Sequence, residues 1–517
     1  MKRSILFFGF IVMAMAITVP LFAAGGAESK APSDGKLELT IVYDYDIPDG
    51  APITKAIEEA FNVKLNTLNN KGLSTAENKQ KMQLMVASGD KIDVFVAYDY
   101  NMLSTFAQQG VIAEVPRELI QKEAPRMYNY LMKIQPGAFA FSTVNGKNYG
   151  FPTAWPLGNH SRVMSIRVDW LEKMGMEIPT TLSDLEKALY AFRNNDPDGN
   201  GVKDTYGFSF YNTPGNVQMF AAIYGAFGAH PQIFQVKNGE LVYGSTLPET
   251  KEALTLLNKW YKEGIIDPSF FVDNYTVFQE KWINSKFGLI PDTWWWTAGP
   301  SVKYYSGALY DPLVKANPAA KPTTIGPVTG PRGDIGMRQR NVMEVIPMIV
   351  FGKHLEQDQT KMRRWFQIWD ELLSTEKWSV FLYHGDEGIT YKKDAQGYPE
   401  WLPPYDTMEK RNEYGMNYFS VAPNYDIYDT ATKDGAWIEQ ERAKAIGPMD
   451  AIAGYPLESW KKYKVNLDTI EEKAFISFIT GARPLSEFDS FVNEWMSSGG
   501  KDVLEEARKV YKEKFAK

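Results

Sequence analysis

The 517-residue sequence contains no cysteine. That absence excludes a disulfide framework, a thiolate metal site and a cysteine nucleophile. It also excludes a lipid anchor of the lipoprotein kind, which needs a cysteine at its cleavage point, so a secreted chain of this type is expected to be held free in a periplasm. The motifs HExxH, GxSxG and GxxxxGKS or GxxxxGKT are absent too, which removes the commonest zinc peptidases, serine hydrolases and phosphate-loop nucleotide enzymes. Histidine is scarce: His160, His230, His354 and His384 are scattered along the chain and read as structural residues. There is no excess of positive charge. The net charge of −7 argues against nucleic acid or anionic lipid as a partner. Repeats and low-complexity tracts are missing as well.

What the chain does have begins at its amino terminus. Lys2 and Arg3 precede the apolar run Ile5 to Val19 and the small residues Ala23 to Ala27, the layout of a secretory signal peptide. The run is shorter than the ~20 residues a bilayer span needs, and Pro20 closes it. Residues 1–26 are therefore read as a signal and 27–36 as a tether, with no membrane insertion of the mature chain. The remaining length exceeds what one hydrophobic core usually supports, so two lobes are expected. Aromatic residues make up 14% of the chain, enough to leave ring faces for a ligand beyond those a core needs.

Strands and helices alternate from Leu37: a strand to Tyr43, a helix over Pro52 to Phe61, a strand over Val63 to Leu68, a helix over Thr75 to Ser88 and a strand over Ile92 to Ala97. This order predicts an α/β fold with a mostly parallel sheet. The stretch GKNYGFPTAWPLGN, Gly146 to Asn159, reads as a connection. A capping box at Thr181 and Asp184 opens a helix whose stripe of Leu182, Leu185, Leu189 and Phe192 is assigned to a core. Further helices are predicted at Glu249 to Gly264 and Lys361 to Ser374. The C-terminal faces Phe488, Phe491, Val492, Trp495 and Val503, Ala507, Val510, Tyr511 are amphipathic.

The loop DPDGNGVKDTYG starting at Asp196 places side-chain oxygens at positions one, three, five and nine: Asp196, Asp198, Asn200 and Asp204. Gly201 stands at the sixth position, as in an EF-hand loop, and Val202 at the seventh would ligate through its carbonyl. Gly207 replaces the glutamate of the twelfth position, and Thr205 is the nearest substitute ligand. The expectation is a structural Ca2+ ion. A metal-free Asp/Asn/Gly turn is the alternative.

The segment IRVDWLEKMGMEIPTTLSDLEKALYAFRNNDPDGNGVKDTYGFS, Ile166 to Ser209, resembles the family 1 extracellular solute-binding proteins of ABC importers, in particular the branch of alginate- and oligosaccharide-binding lipoproteins. Weaker similarity extends over the crossover GKNYGFPTAWP, the segment Gly385 to Tyr391 and the C-terminal LSEFDSFVNEWMSSGG. The resemblance implies a calcium loop formed by Asp196, Asp198, Asn200, Val202, Asp204 and Thr205. It also implies a two-lobed periplasmic-binding-protein fold of the type II kind, its lobes joined by crossing hinge strands and closing on a ligand. Residues 37–152 and 346–398 are then expected in the N-terminal lobe and 153–345 and 399–517 in the C-terminal lobe. Crossovers are expected near Phe151 to Trp155 and at Glu344 to Val350.

Ligand contacts are expected at Asp292-Thr293-Trp294-Trp295-Trp296, similar to the aromatic segment that maltose-type receptors present to sugar. In an extended segment Trp294 and Trp296 share a face, and a sugar's C–H face stacks on indole. Trp155 is the next candidate. Tyr43, Asp44 and Tyr45 end the first strand, and Tyr98, Asp99 and Tyr100 follow the third, at the carboxyl ends where open α/β sheets place ligands. Arg338 and Arg340 are placed to pair with a uronic carboxylate. The expected function is capture of an oligosaccharide by a monomeric, non-catalytic receptor that hands it to ABC permease subunits. A receptor for peptide or another organic solute and a secreted glycoside hydrolase are the alternatives.

Overall fold

The computed structural model describes residues 35–516 apart from 43–47, 49, 68–74, 155–161, 213–215, 298–308, 342, 344–347, 396, 398, 417–418, 420–423, 425, 428–434 and 454. The first sheet contains β1 (Leu37–Ile41), β2 (Val63–Thr67), β3 (Val94–Ala97), β4 (Phe151–Pro152) and, from far along the chain, β9 (Met348–Phe351). The second contains β5 (Arg162–Arg167), β6 (Tyr206–Phe208), β7 (Phe287–Thr293) and β8 (Pro322–Ile325).

The order of the first sheet is β2, β1, β3, β9, β4. β1 runs parallel to β2, with Leu39 opposite Leu65, and parallel to β3. β9 is antiparallel to both β3 and β4, so the sheet is mixed where the sequence suggested a mostly parallel one. The reason is connectivity: β9 enters after the whole second sheet has been built and returns in the opposite sense. β3 and β9 read VFVA and MIVF and are buried at every residue, as expected of strands covered on both faces. Beside them, helix α1 (Pro52–Phe61) starts with proline at its first turn, ends on Asn62 in the left-handed region, and buries Ile53 and Ile57.

The second sheet is ordered β8, β5, β7, β6. Alternation along β7 sends Leu289 into one hydrophobic cluster and Ile290 into another on the opposite face. The Thr181 side chain caps α3 (Leu182–Asn194) by accepting from the Asp184 N–H at 3.1 Å, and Leu182, Leu185, Leu189 and Phe192 are buried.

Two cores follow from this. One gathers residues from Leu39 to Ala154, Met348 to Leu382, and Tyr414, Met416 and Phe419. The other gathers Met164 to Met337 and Ile452 to Val510. The chain thus passes between lobes three times. The third passage lies beyond Phe419 and not at the expected 398/399, because Tyr414, Met416 and Phe419 pack on the first core and Asn424 still donates to the Leu373 carbonyl. Among the described residues no helix is long and apolar enough to cross a membrane.

Candidate functional site

The carboxyl end of β3 opens onto a cavity of about 550 Å³ between the lobes. After Ala97 the chain turns through Tyr98 and Asp99 into α2 (Tyr100–Gln109). Asp99 caps this helix by accepting from the Met102 N–H at 2.8 Å and pairs with Lys79. The Tyr100 hydroxyl donates to the Thr143 carbonyl at 3.0 Å. Tyr98, Asp99, Tyr100 and Asn101 form the N-terminal wall together with Phe141, and Thr153 and Met348 stand where the two expected crossovers meet it.

The opposite wall comes from the second lobe. Arg338 and Asn341 are held there by a close pairing of two segments: Met337 donates to the Ile446 carbonyl at 2.7 Å and Gln339 to the Pro448 carbonyl at 2.9 Å. Gly447 permits this approach, since at φ +154° a Cβ would lie 1.9 Å from the Met337 oxygen. The chain then supplies Asp450, Tyr455 and the start of the long helix α4 (Glu458–Thr480), whose Trp460, Lys461, Lys464, Asp468 and Glu472 face the cavity. The Lys461 ammonium lies over the Tyr100 ring, 4.3 Å from its centroid, and so joins the two walls.

Two of the acids at the cavity, Asp450 and Asp468, hold structure. Asp450 accepts from the N–H groups of Phe234 and Ile452, both at 2.9 Å, and Asp468 pairs with Lys464 at 2.7 Å. Behind the wall, Glu471 is completely buried and accepts from the Ser245 hydroxyl at 2.6 Å and the Tyr243 hydroxyl at 3.1 Å. Burial pushes its carboxyl up to about 7, against the lowering by those two hydroxyls. His230 is held down to about 4 by burial and by the Lys237 and Arg338 charges, so it is neutral at physiological pH.

The residues expected from sequence divide. Tyr98, Asp99, Tyr100 and Arg338 come together at the cavity, whereas Tyr43, Asp44, Tyr45 and Trp155 lie outside the described residues. The tryptophan expectation is corrected. β7 ends at Thr293 and Trp294–Thr297 is a helical turn, so residues two apart point to different sides. Trp294 is fully buried and cannot present a face to ligand in this conformation. Trp296 is half-buried, 6.0 Å from Tyr275 in a cluster that includes Tyr211. Arg340 stands near enough to that cluster to oppose the rise that burial gives the Tyr211 hydroxyl. Neither Trp296 nor Arg340 lines the cavity. Sequence reasoning missed Tyr455, Trp460, Lys461 and Lys464; the spacing of Trp460, Lys464 and Asp468 on one helical face was the available signal.

Residues 53–331 match the family model described as bacterial extracellular solute-binding protein. The chain is a bacterial extracellular solute-binding protein. Lipoprotein LipO of Bacillus subtilis (strain 168) is 27% identical over 485 residues, covering 90% of this chain and 89% of LipO. The polygalacturonan/rhamnogalacturonan-binding protein YtcQ of the same organism is 23% identical over 536 residues, with 97% and 98% covered. The fructooligosaccharide ABC transporter substrate-binding protein FusA of Streptococcus pneumoniae serotype 4 (strain ATCC BAA-334 / TIGR4) is 30% identical over 223 residues, 41% of each chain. A solved structure of S. pneumoniae FusA in complex with kestose superposes with a TM-score of 0.68 at 20% identity, covering 92% of the solute-binding protein and 99% of that chain. This likeness shows the two-lobed fold.

The loop expected to hold calcium is hydrogen-bonded largely within itself. Asp196 accepts from Gly199 and Asn200 at 3.1 Å on one oxygen and from Gly201 at 3.0 Å on the other. The Asn200 carbonyl oxygen accepts from Val202 at 2.7 Å, and its amide nitrogen donates to Asp198 at 2.9 Å and Asp204 at 3.2 Å. Thr205 departs from expectation: it is fully buried and its hydroxyl donates inward to the Phe192 carbonyl at 2.6 Å, which takes it away from the loop. Lys286 is ion-paired with Asp204. Burial, Asp196 and Asp204 together push the Asp198 carboxyl up. Among the described residues no group of three His, Cys, Asp or Glu side chains is disposed to hold a metal. Of the six expected ligands, Thr205 is therefore the one turned away from the loop.

Proposed function

We propose that this solute-binding protein captures an oligosaccharide in the cavity between its lobes, outside the cytoplasmic membrane, and delivers it to the membrane subunits of an ABC importer by closing about the hinge. The observation that carries this reading is the composition of the cavity, where the rings of Tyr98, Tyr100, Phe141, Tyr455 and Trp460 stand among the amides of Asn101, Gln218, Gln232 and Asn341. Apolar ring faces take the C–H faces of sugar rings, and amides and charged groups fix the hydroxyls. The binding of polygalacturonan and rhamnogalacturonan by YtcQ and of fructooligosaccharide by FusA supports the same ligand class.

Closure needs contacts across the cleft, and the Lys461–Tyr100 contact is one. The enzyme alternative is disfavoured because Asp450 and Asp468 are engaged with backbone and with lysine, unlike the acid and base of a glycoside hydrolase. Calorimetric titration of the purified protein with a panel of neutral and uronic oligosaccharides, with product analysis of the same samples, tests the proposal. Saturable binding without cleavage is expected. Turnover of glycan, or binding of peptides alone, would overturn it.

A further inference from the structure

We infer that Gln232 is a specificity-determining residue of the interlobe cavity, its amide nitrogen donating to a ligand oxygen in an orientation that two hydrogen-bonded chains impose from behind. The inference rests on the oligosaccharide reading above. The first chain starts at Arg162, the opening residue of β5, whose backbone N–H and carbonyl are held by the Gln339 side chain at 3.0 Å and 3.1 Å. The Arg162 guanidinium donates to Gln218 Oε1 at 2.6 Å, and Gln218 Nε2 donates to Gln232 Oε1 at 2.8 Å. A guanidinium has donors only. The Gln218 amide must therefore turn its oxygen to Arg162 and its nitrogen to Gln232, and the Gln232 amide must turn its oxygen to Gln218. Gln232 Nε2, which has no partner among the described residues, is left for the cavity that both glutamines line. The Arg162 charge polarises both amides in the same sense, which strengthens that terminal donor.

The second chain fixes the backbone of the same residue. Gln232 stands in the left-handed region at φ +64°, a conformation unfavourable for a residue with a Cβ. Its N–H donates to Ser245 Oγ at 2.8 Å, and the Ser245 hydroxyl donates to the buried Glu471 at 2.6 Å. A hydroxyl has a single donor, so the carboxyl group that takes it leaves the oxygen lone pairs to the Gln232 N–H. On either side the turn is pinned again: the His230 N–H donates to Gln235 Oε1 at 3.0 Å, and the Phe234 N–H donates to Asp450 at 2.9 Å. Backbone strain of this kind persists only where the surroundings over-determine it, and it gathers at ligand sites. A donor fixed before binding loses little freedom on binding, and a site built around it discriminates against a ligand with no acceptor at that point.

The test is calorimetric titration of the full chain with kestose and trigalacturonate, a neutral and a uronic probe within the panel above. Gln232→Met keeps the length of the side chain and removes the donor. It is expected to weaken binding of the sugar that the wild type takes by about 10- to 100-fold. Gln218→Glu keeps the shape and the Arg162 partner but, as a carboxylate, has no N–H, so Gln232 turns its nitrogen inward and offers an oxygen to the cavity. Affinity is expected to fall by about 10-fold or more, with Tm no lower than that of the wild type. Because Gln218 itself lines the cavity, the double variant separates its own contact from its action through Gln232: Gln218→Glu is expected to cost nothing further in the Gln232→Met background. Wild-type affinity in either single variant, or additive losses in the double variant, overturns the inference and leaves the oligosaccharide reading intact. A wild type that binds no member of the panel overturns that reading, and the inference with it.

Discussion

The Asp196–Thr205 loop and the interlobe cavity are both built from carboxylates, amides and cations, yet they are assembled in opposite ways. The loop is contiguous. The hydrogen bonds among its own side chains and N–H groups run between residues two to five apart, and Lys173, Arg193 and Lys286 reach it from outside. The cavity collects residues from Tyr98 to Glu472, and its geometry depends on pairings such as Met337 with Ile446. A contiguous site can be read in sequence from the spacing of its residues. A dispersed site is hidden in sequence but is fixed by many packing contacts at once.

The sharpest way to break this comparison is through Trp294. Because Trp294 is fully buried, Trp294→Ala is expected to cost about 3–5 kcal/mol of stability, read by denaturant unfolding, and to alter binding only through unfolding. A stable variant with lost affinity would return Trp294 to the ligand site. The next effect comes from Glu471 behind the cavity wall. Its carboxyl is raised to about 7 from the usual 4.5, so the folded chain holds the proton more tightly than the unfolded one. The contribution of this group to stability is full below about pH 4.5, declines as pH rises toward 7 and is lost above it. Glu471→Gln should remove that decline and exceed the wild type at pH 8 by as much as roughly 3 kcal/mol in urea unfolding. Burial sets the size of the effect, the hydroxyls of Ser245 and Tyr243 and the Lys464 charge reduce it, and the Asp468 charge adds to it.

Trp460→Ala tests the cavity directly. Loss of its ring is expected to weaken oligosaccharide binding by about 10- to 100-fold in calorimetry run well below the variant's Tm, which falls as well because the ring packs on Phe234 and Tyr243. The smallest effect is local: Thr181→Ala removes the cap of α3 and should cost about 1 kcal/mol without changing affinity. Together the last two separate a site that binds from a segment that only folds.

How far the sequence spoke depends on the range of the interactions. The α3 stripe and its cap were legible because helical periodicity and capping act over three or four residues. The placement of Tyr98, Asp99 and Tyr100 at the cavity was legible because strand ends carry a topological rule. The orientation of Trp294 was not, since an extended run keeps Trp294 and Trp296 on one side whereas a helical turn separates them, and packing chose the turn. Nor was the contribution of α4, which meets the cavity only after the chain has crossed between lobes three times.

By itself the sequence determined the family, the two-lobed α/β plan, and the local elements whose hydrogen bonds close within a few residues. Only the tertiary structure decided that Trp460 and Lys461 face Tyr100 across the cleft, that Thr205 turns inward to Phe192, and that Lys286 reaches Asp204. The physical reason is that charge pairing, ring contact and burial depend on which distant segments are brought within a few ångströms, and no local pattern encodes that meeting.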